Sequence, residues 1–159
     1  MKIFRALRAI TALFAVLSTG CSRPAESTAA AGEVSSLWRT NYAEAQGEAK
    51  ANQKLLLLDF TGSDWCGWCQ KLKREVFETP EFQDYARHHL VLLEVDFPRR
   101  TELAAAQKMQ NQLLAQQYRV QGFPTIVILD GDGNVRGALG YTPGGPSAFI
   151  AQLEKIRES

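Results

Sequence analysis

The chain predicts an α/β fold: a central mixed sheet with helices on both faces. Three observations carry this expectation. Leu55-Leu56-Leu57-Leu58 runs without a polar residue, as a strand covered on both sides does. Apolar, strand-like runs then alternate with segments of helical periodicity along the chain. Last, Asp130-Gly131-Asp132-Gly133-Asn134 separates two strand-like runs as a hairpin turn, which makes that pair antiparallel.

Taken in order, Leu37, Trp38, Tyr42, Ala45 and Ala49 recur at helical spacing and predict an amphipathic first helix. Residues 55–60 form the central strand. Residues 66–77 read as one helix, with Cys69, Leu72 and Val76 on one side. Thr79-Pro80-Glu81 is a fresh start, a cap followed by proline at the first helical position, so a second helix runs to about residue 88. Residues 90–95 make the next strand. Residues 101–118, rich in Ala, Gln and Leu, read as a helix that caps the sheet or contributes to a docking surface. The run Ile126-Val127-Ile128-Leu129 and the segment Val135–Leu139 flank the hairpin. The acidic turn between them lacks the twelve-residue ligand spacing of a calcium loop. Pro143-Gly144-Gly145-Pro146 is a rigid loop, and residues 147–157 close the chain as a helix. The order is βαβαββα, with a right-handed crossover through the helix that begins at Cys66.

The chemistry concentrates in Trp65-Cys66-Gly67-Trp68-Cys69, between the central strand and that helix. Two cysteines at this spacing can close a short ring and shuttle between dithiol and disulfide. A sulfur at the helix N-terminus meets unpaired N–H groups and the positive end of the dipole, which favours its thiolate. Cys66 is therefore expected to be the attacking thiol, and Cys69 the shielded one that attacks a mixed disulfide formed on Cys66. Structural zinc would need four N or S ligands, and beyond this pair the chain offers only Cys21 and the adjacent His88 and His89. Covalent haem attachment would need His where Gln70 stands. A static disulfide is a poor use of so small a ring, because loop-closure stabilisation grows with loop length. Reversible redox chemistry is favoured, and it calls for no cofactor and no metal.

Further along, Gly122-Phe123-Pro124-Thr125 leads into an apolar β-branched run, a position that suits a residue unable to donate to a ladder. With the Leu58-Asp59-Phe60 strand end, the Trp-Cys-Gly-x-Cys motif and the Gly140-Tyr141 pair before the last helix, the chain resembles the thioredoxin family over nearly all of residues 36–158. The resemblance implies the thioredoxin fold and a thiol–disulfide oxidoreductase acting on protein disulfides or dithiols, resupplied by an upstream thiol donor. It implies that Pro124 is cis and faces the disulfide. Phe123 would then offer backbone groups to an extended client strand. It implies that Asp59, whose burial should raise its pKa, exchanges protons with Cys69. Thioredoxins commonly place a lysine on the next strand beside that acid. Here Leu92 falls at that place, so the acid is expected to lack a cationic partner. Trp68 stands where many relatives have Pro or His. It brings bulk and a stacking surface but no charge, and so argues for a reductase or electron carrier over a strong oxidant. Trp65 and Gly67 are expected to shape the docking surface with Trp68, Phe123 and Pro124. The other function class, a redox-inactive binding module that keeps the fold, is disfavoured by the intact cysteines, acid and proline.

Residues 1–20 read as an export signal: Lys2, Arg5 and Arg8, then an apolar core too short to span a bilayer comfortably, then small residues. Leu17-Ser18-Thr19-Gly20-Cys21 resembles a lipobox with its aliphatic residue one place early. Cys21 is accordingly the candidate lipidation site, the alternative being cleavage near Ala29-Ala30-Ala31 to a soluble periplasmic form. Residues 21–35 suit a flexible tether, and 36–159 a single thioredoxin-like domain expected to act as a monomer in the cell envelope. Losing residues 1–20 removes three cations and no anion, moving the net charge from +1 to −2. No basic face survives for nucleic acid.

Overall fold

The computed structural model describes residues 37–159. The predicted export signal, Cys21, the tether and Ser36 lie outside the described residues. The element order is β1 (Trp38–Arg39), α1 (Tyr42–Asn52), β2 (Leu55–Thr61), α2 (Gly67–Leu72), a π-helical turn (Lys73–Phe77), α3 (Pro80–His89), β3 (Leu90–Asp96), α4 (Ala105–Gln117), β4 (Thr125–Leu129), β5 (Val135–Leu139) and α5 (Gly145–Glu158). The five strands lie in the order β1-β3-β2-β4-β5. β3 runs parallel to β1 and β2, while β4 is antiparallel to β2 and β5. This is the mixed sheet that the sequence predicts.

Alternation along the strands splits the core into two layers. Leu57, Leu92, Ile126 and Ile128 pack with Leu72, Val76, Phe77, Phe82, Ala86, Phe149 and Leu153 from α2, the π turn, α3 and α5. On the other face Leu56, Leu58, Phe60, Val91, Leu93, Val95, Val127 and Leu129 meet Ala45, Ala49 and Leu114 from α1 and α4. A side chain fully buried in this way stabilises the fold by roughly 1.5–3 kcal/mol.

Three elements depart from the sequence reading. Trp38 belongs to a short strand rather than the first helix, because Trp38 and Arg39 pair with Leu92 and Leu93 at the edge of the sheet. The helix starts only after Asn41, whose side chain accepts the Glu44 N–H at 3.2 Å. The helix expected over 66–77 is α for six residues and π for five, a register change that begins at Lys73. The helix expected from residue 101 begins at Ala105, because the preceding backbone is held elsewhere. Thr79 does cap α3, accepting the Phe82 N–H at 3.3 Å.

Candidate functional site

Cys66 and Cys69 form a disulfide with their Cα atoms 5.3 Å apart. Cys66 is the N-cap of α2, and its Sγ accepts the backbone N–H of Cys69 at 3.2 Å. Gly62 holds the turn beneath it, accepting the Cys66 N–H at 2.8 Å. Exposure hardly separates the two sulfurs in the oxidised form, at 7% for Cys66 and 4% for Cys69. Position does. Cys66 stands where helix N–H groups and dipole stabilise a thiolate, and Cys69 lies inside the first turn with its back to the sheet.

Behind Cys69 is a cavity of about 50 Å³ whose lining includes Asp59, Thr61, Cys69, Lys73, Glu78 and Glu94. Asp59 is 8% exposed, and its Oδ1 has no hydrogen-bond partner among the described residues. Burial above all, then the charges of Glu94 and Asp96, push its pKa up to about 8, with Lys73 pulling the other way. The residue beside Asp59 on β3 is Glu94, whereas Leu92 faces Leu57. The neighbouring strand thus brings an anion. The cation comes instead from the π turn, through Lys73.

The rim is assembled from three loops. Trp65 donates its indole N–H to Phe97 O at 2.8 Å and meets Phe123 edge-on, with ring centroids 5.8 Å apart. A Cβ on Gly62 would lie 2.5 Å from that indole, so glycine is what allows Trp65 to fold down there. The Arg99 guanidinium lies 3.7 Å from the Trp65 ring centroid. Beside it the Asp64 carboxylate accepts the backbone N–H groups of Arg99, Arg100 and Thr101, bonds that hold its pKa below the usual range. Of these, Thr101 is where the sequence starts its helix. Trp65 is therefore a brace between the cysteine loop and the segment entering α4. The Phe123–Pro124 peptide is cis, and Thr125 Oγ1 donates to Gly122 O at 2.8 Å across the same turn.

On the opposite rim Trp68 is 58% exposed and lies 5.2 Å from the Tyr141 ring. Lys71 Nζ sits 5.3 Å from the Trp68 centroid and 5.1 Å from that of Tyr141. Tyr141 donates its hydroxyl to Glu75 at 2.7 Å. Gly67 is exposed between the cysteines, with open space where a Cβ would point. Every site residue that the sequence nominates within 37–159 thus comes together at one end of the sheet. Asp64, Lys73, Glu94 and Arg99 escaped the sequence reading. For Glu94 the signal was available: it interrupts an apolar strand in step with Asp59. For the other three, no pattern marks a surface charge as a partner of a distant loop.

A family model described as a Thioredoxin-like domain matches residues 42–157. The chain is 40% identical over 114 residues to the disulfide bond reductase DsbH of Chlamydia pneumoniae, covering 72% of this chain and 69% of that protein. It is 31% identical over 93 residues to the thioredoxin-related protein DsbJ of the same organism, covering 58% of this chain but 27% of the relative. A solved DsbH oxidoreductase superposes with a TM-score of 0.72 at 39% identity, covering 75% of this chain and 82% of the other. A thioredoxin from Thermus thermophilus, 24% identical, shares the fold with a TM-score of 0.57 over 75% of this chain and 85% of its own.

Proposed function

This chain belongs to the thioredoxin-like family and is a thiol–disulfide oxidoreductase, and on that premise we propose that it reduces disulfides in protein clients of the cell envelope. The observation that carries the reading is the Cys66–Cys69 disulfide, with Cys66 capping α2 and the buried Asp59 beside Cys69 in one cavity.

In the dithiol form, the Cys66 thiolate attacks a client disulfide. One client sulfur leaves as a thiolate, and the other stays bonded to Cys66. Cys69 then loses its proton to the Asp59 carboxylate and attacks Cys66 Sγ. The mixed disulfide breaks, the second client sulfur leaves with the electron pair, and the Cys66–Cys69 bond results. Two electrons have passed to the client, and an upstream thiol donor returns them. Phe123 and Pro124 supply an edge for an extended client segment, while Gly67 leaves room for its backbone and Trp68 contributes a stacking surface. Trp65 holds this edge in place. The reducing direction is supported by the likeness to DsbH and by the absence of any charge between the cysteines that would add to thiolate stability. A lipid on Cys21 would tether the domain through residues 21–35 to a membrane, where it would act as a monomer.

Insulin reduction with dithiothreitol as the electron source tests the activity. Turbidity should appear faster than with dithiothreitol alone, and Cys66→Ser should remove the gain. A wild-type protein no better than dithiothreitol would end the reductase reading. Membrane fractionation of the full chain tests the tether: Cys21→Ala should release the protein or block its processing.

A further inference from the structure

The cavity behind Cys69 holds one more carboxylate than the proton step requires. Glu94 is the register partner of Asp59 on the adjacent parallel strand, so the two side chains leave the sheet on the same face. Both line the same space of about 50 Å³, enough for water to bridge polar groups. Asp59 Oδ1 is buried there without a protein partner among the described residues, whereas Glu94 is only half-buried and reaches toward solvent. The charged groups around the pair are Asp96 on β3, Lys73 on the π turn and Glu78 just after it. Lys73 is the one cation among the lining residues. An acid buried this deeply takes up a proton in every turnover and must also give it back.

We propose that the proton taken from Cys69 leaves the cavity through Glu94, with the Lys73 ammonium offsetting the charge of the two carboxylates. This rests on the reading of Asp59 as the base for Cys69. While the mixed disulfide is still intact, Cys69 gives its proton to Asp59 reversibly, and passage of that proton through cavity water to the Glu94 carboxylate, which exchanges it with solvent, leaves Asp59 a base again and the Cys69 thiolate in place. The thiolate then attacks Cys66 Sγ and the client sulfur leaves with its electron pair, so each resolution waits on the exit. Two carboxylates on adjacent strands resist being ionised together, so they share a proton readily. Consistent with this, burial and Asp96 raise the Glu94 pKa, Glu94 in turn raises that of Asp59, and Lys73 lowers both. Glu94 is a positioning residue that acts through Asp59.

Rapid mixing of the reduced protein with 5,5′-dithiobis(2-nitrobenzoate) separates the steps. A first burst of thionitrobenzoate reports attack by Cys66, and a second reports resolution by Cys69. Glu94→Gln should leave the first phase within about twofold and slow the second about tenfold at pH 7, less than the roughly 10²–10⁴ that a directly positioned base contributes. The midpoint of the second phase against pH should move down, because a neighbouring negative charge is gone. Glu94→Ala should slow in the same way and recover with added acetate, while Glu94→Asp should retain most of the rate. An unchanged second phase in Glu94→Gln, with Asp59→Asn slow, overturns the exit route and leaves Asp59 as the base. A wild-type second phase in Asp59→Asn removes the base itself, and the exit with it. Slowing that acetate leaves untouched makes Glu94 a structural acid and overturns the proposal.

Discussion

Leu58 and Asp59 are neighbours in the chain and face opposite sides of the same sheet, and the two sides differ in kind. The side under α1 and α4 is apolar from Leu56 through Phe60 on β2 and from Val91 through Val95 on β3. The side under α2, the π turn, α3 and α5 starts equally apolar with Leu57 and Leu92. It then turns polar at the strand ends with Asp59, Thr61, Glu94 and Asp96. Burying an unpaired carboxylate is unfavourable. The first side shows what stability alone selects at such positions, and the second departs from it only where the disulfide sits. One face of the sheet maintains the fold, and the end of the other carries the chemistry.

The sharpest test of that division is Leu58→Ala, which should destabilise the protein by about 2–5 kcal/mol, since it leaves a cavity in a closed layer. Below the unfolding transition, the rate of resolution by Cys69 should stay within about twofold of wild type, a tolerance set by the distinct layer it touches. Chemical denaturation and the two-phase thionitrobenzoate assay check the two halves. A large loss of rate with the fold intact would show that the two faces are coupled.

Asp59→Asn should do the reverse. The folded pKa of Asp59, about 8, stands above the ordinary value of 3.8. Its protonated form is therefore the one the fold accommodates. The associated stability is fully present below pH 4 and is lost as pH rises through about 8. Asparagine avoids that loss. The variant should match wild type near pH 4 and exceed it at pH 9 by on the order of 2–4 kcal/mol, each pKa unit being worth about 1.36 kcal/mol before the interior relaxes. Resolution at pH 7 should fall by about 100-fold or more, well beyond the effect of Glu94→Gln. Denaturation curves at the two pH values decide the matter, and a variant less stable at pH 9 would make Asp59 a satisfied structural acid.

The smallest effect concerns the rim. Asp64→Ala removes the acceptor for three backbone N–H groups, so amide exchange at Arg99, Arg100 and Thr101 should quicken by roughly tenfold, as local opening there becomes easier. The global transition should scarcely move. Unchanged exchange would mean that the Trp65–Phe97 bond and the Arg99 stack hold the segment without Asp64.

Much of this site is legible in the sequence because its signals are local. The CxxC spacing sets two sulfurs one helical turn apart, the run of leucines makes Asp59 an interior acid, and Thr79-Pro80 starts α3, all through short-range backbone geometry. Local periodicity misled at Trp38, where pairing with Leu92 outweighs helical spacing, and at 101–104, where the helix begins only at Ala105 and Asp64 holds the Thr101 N–H in the preceding loop. Helical spacing likewise reads straight through the π turn that presents Lys73 to the cavity.

The sequence by itself determined the order of elements from the central strand onward, the redox pair, the buried acid and the proline before β4, because hydrophobic period, turn chemistry and cysteine spacing act over a few residues. Tertiary structure alone decided which charges surround that acid. The register of β2 against β3 puts Glu94, not Leu92, beside Asp59, and the turn after α2 brings Lys73 across. Such neighbours come from chain segments far apart in sequence, and only the pairing of strands and the packing of helices sets the distances on which their electrostatics depends.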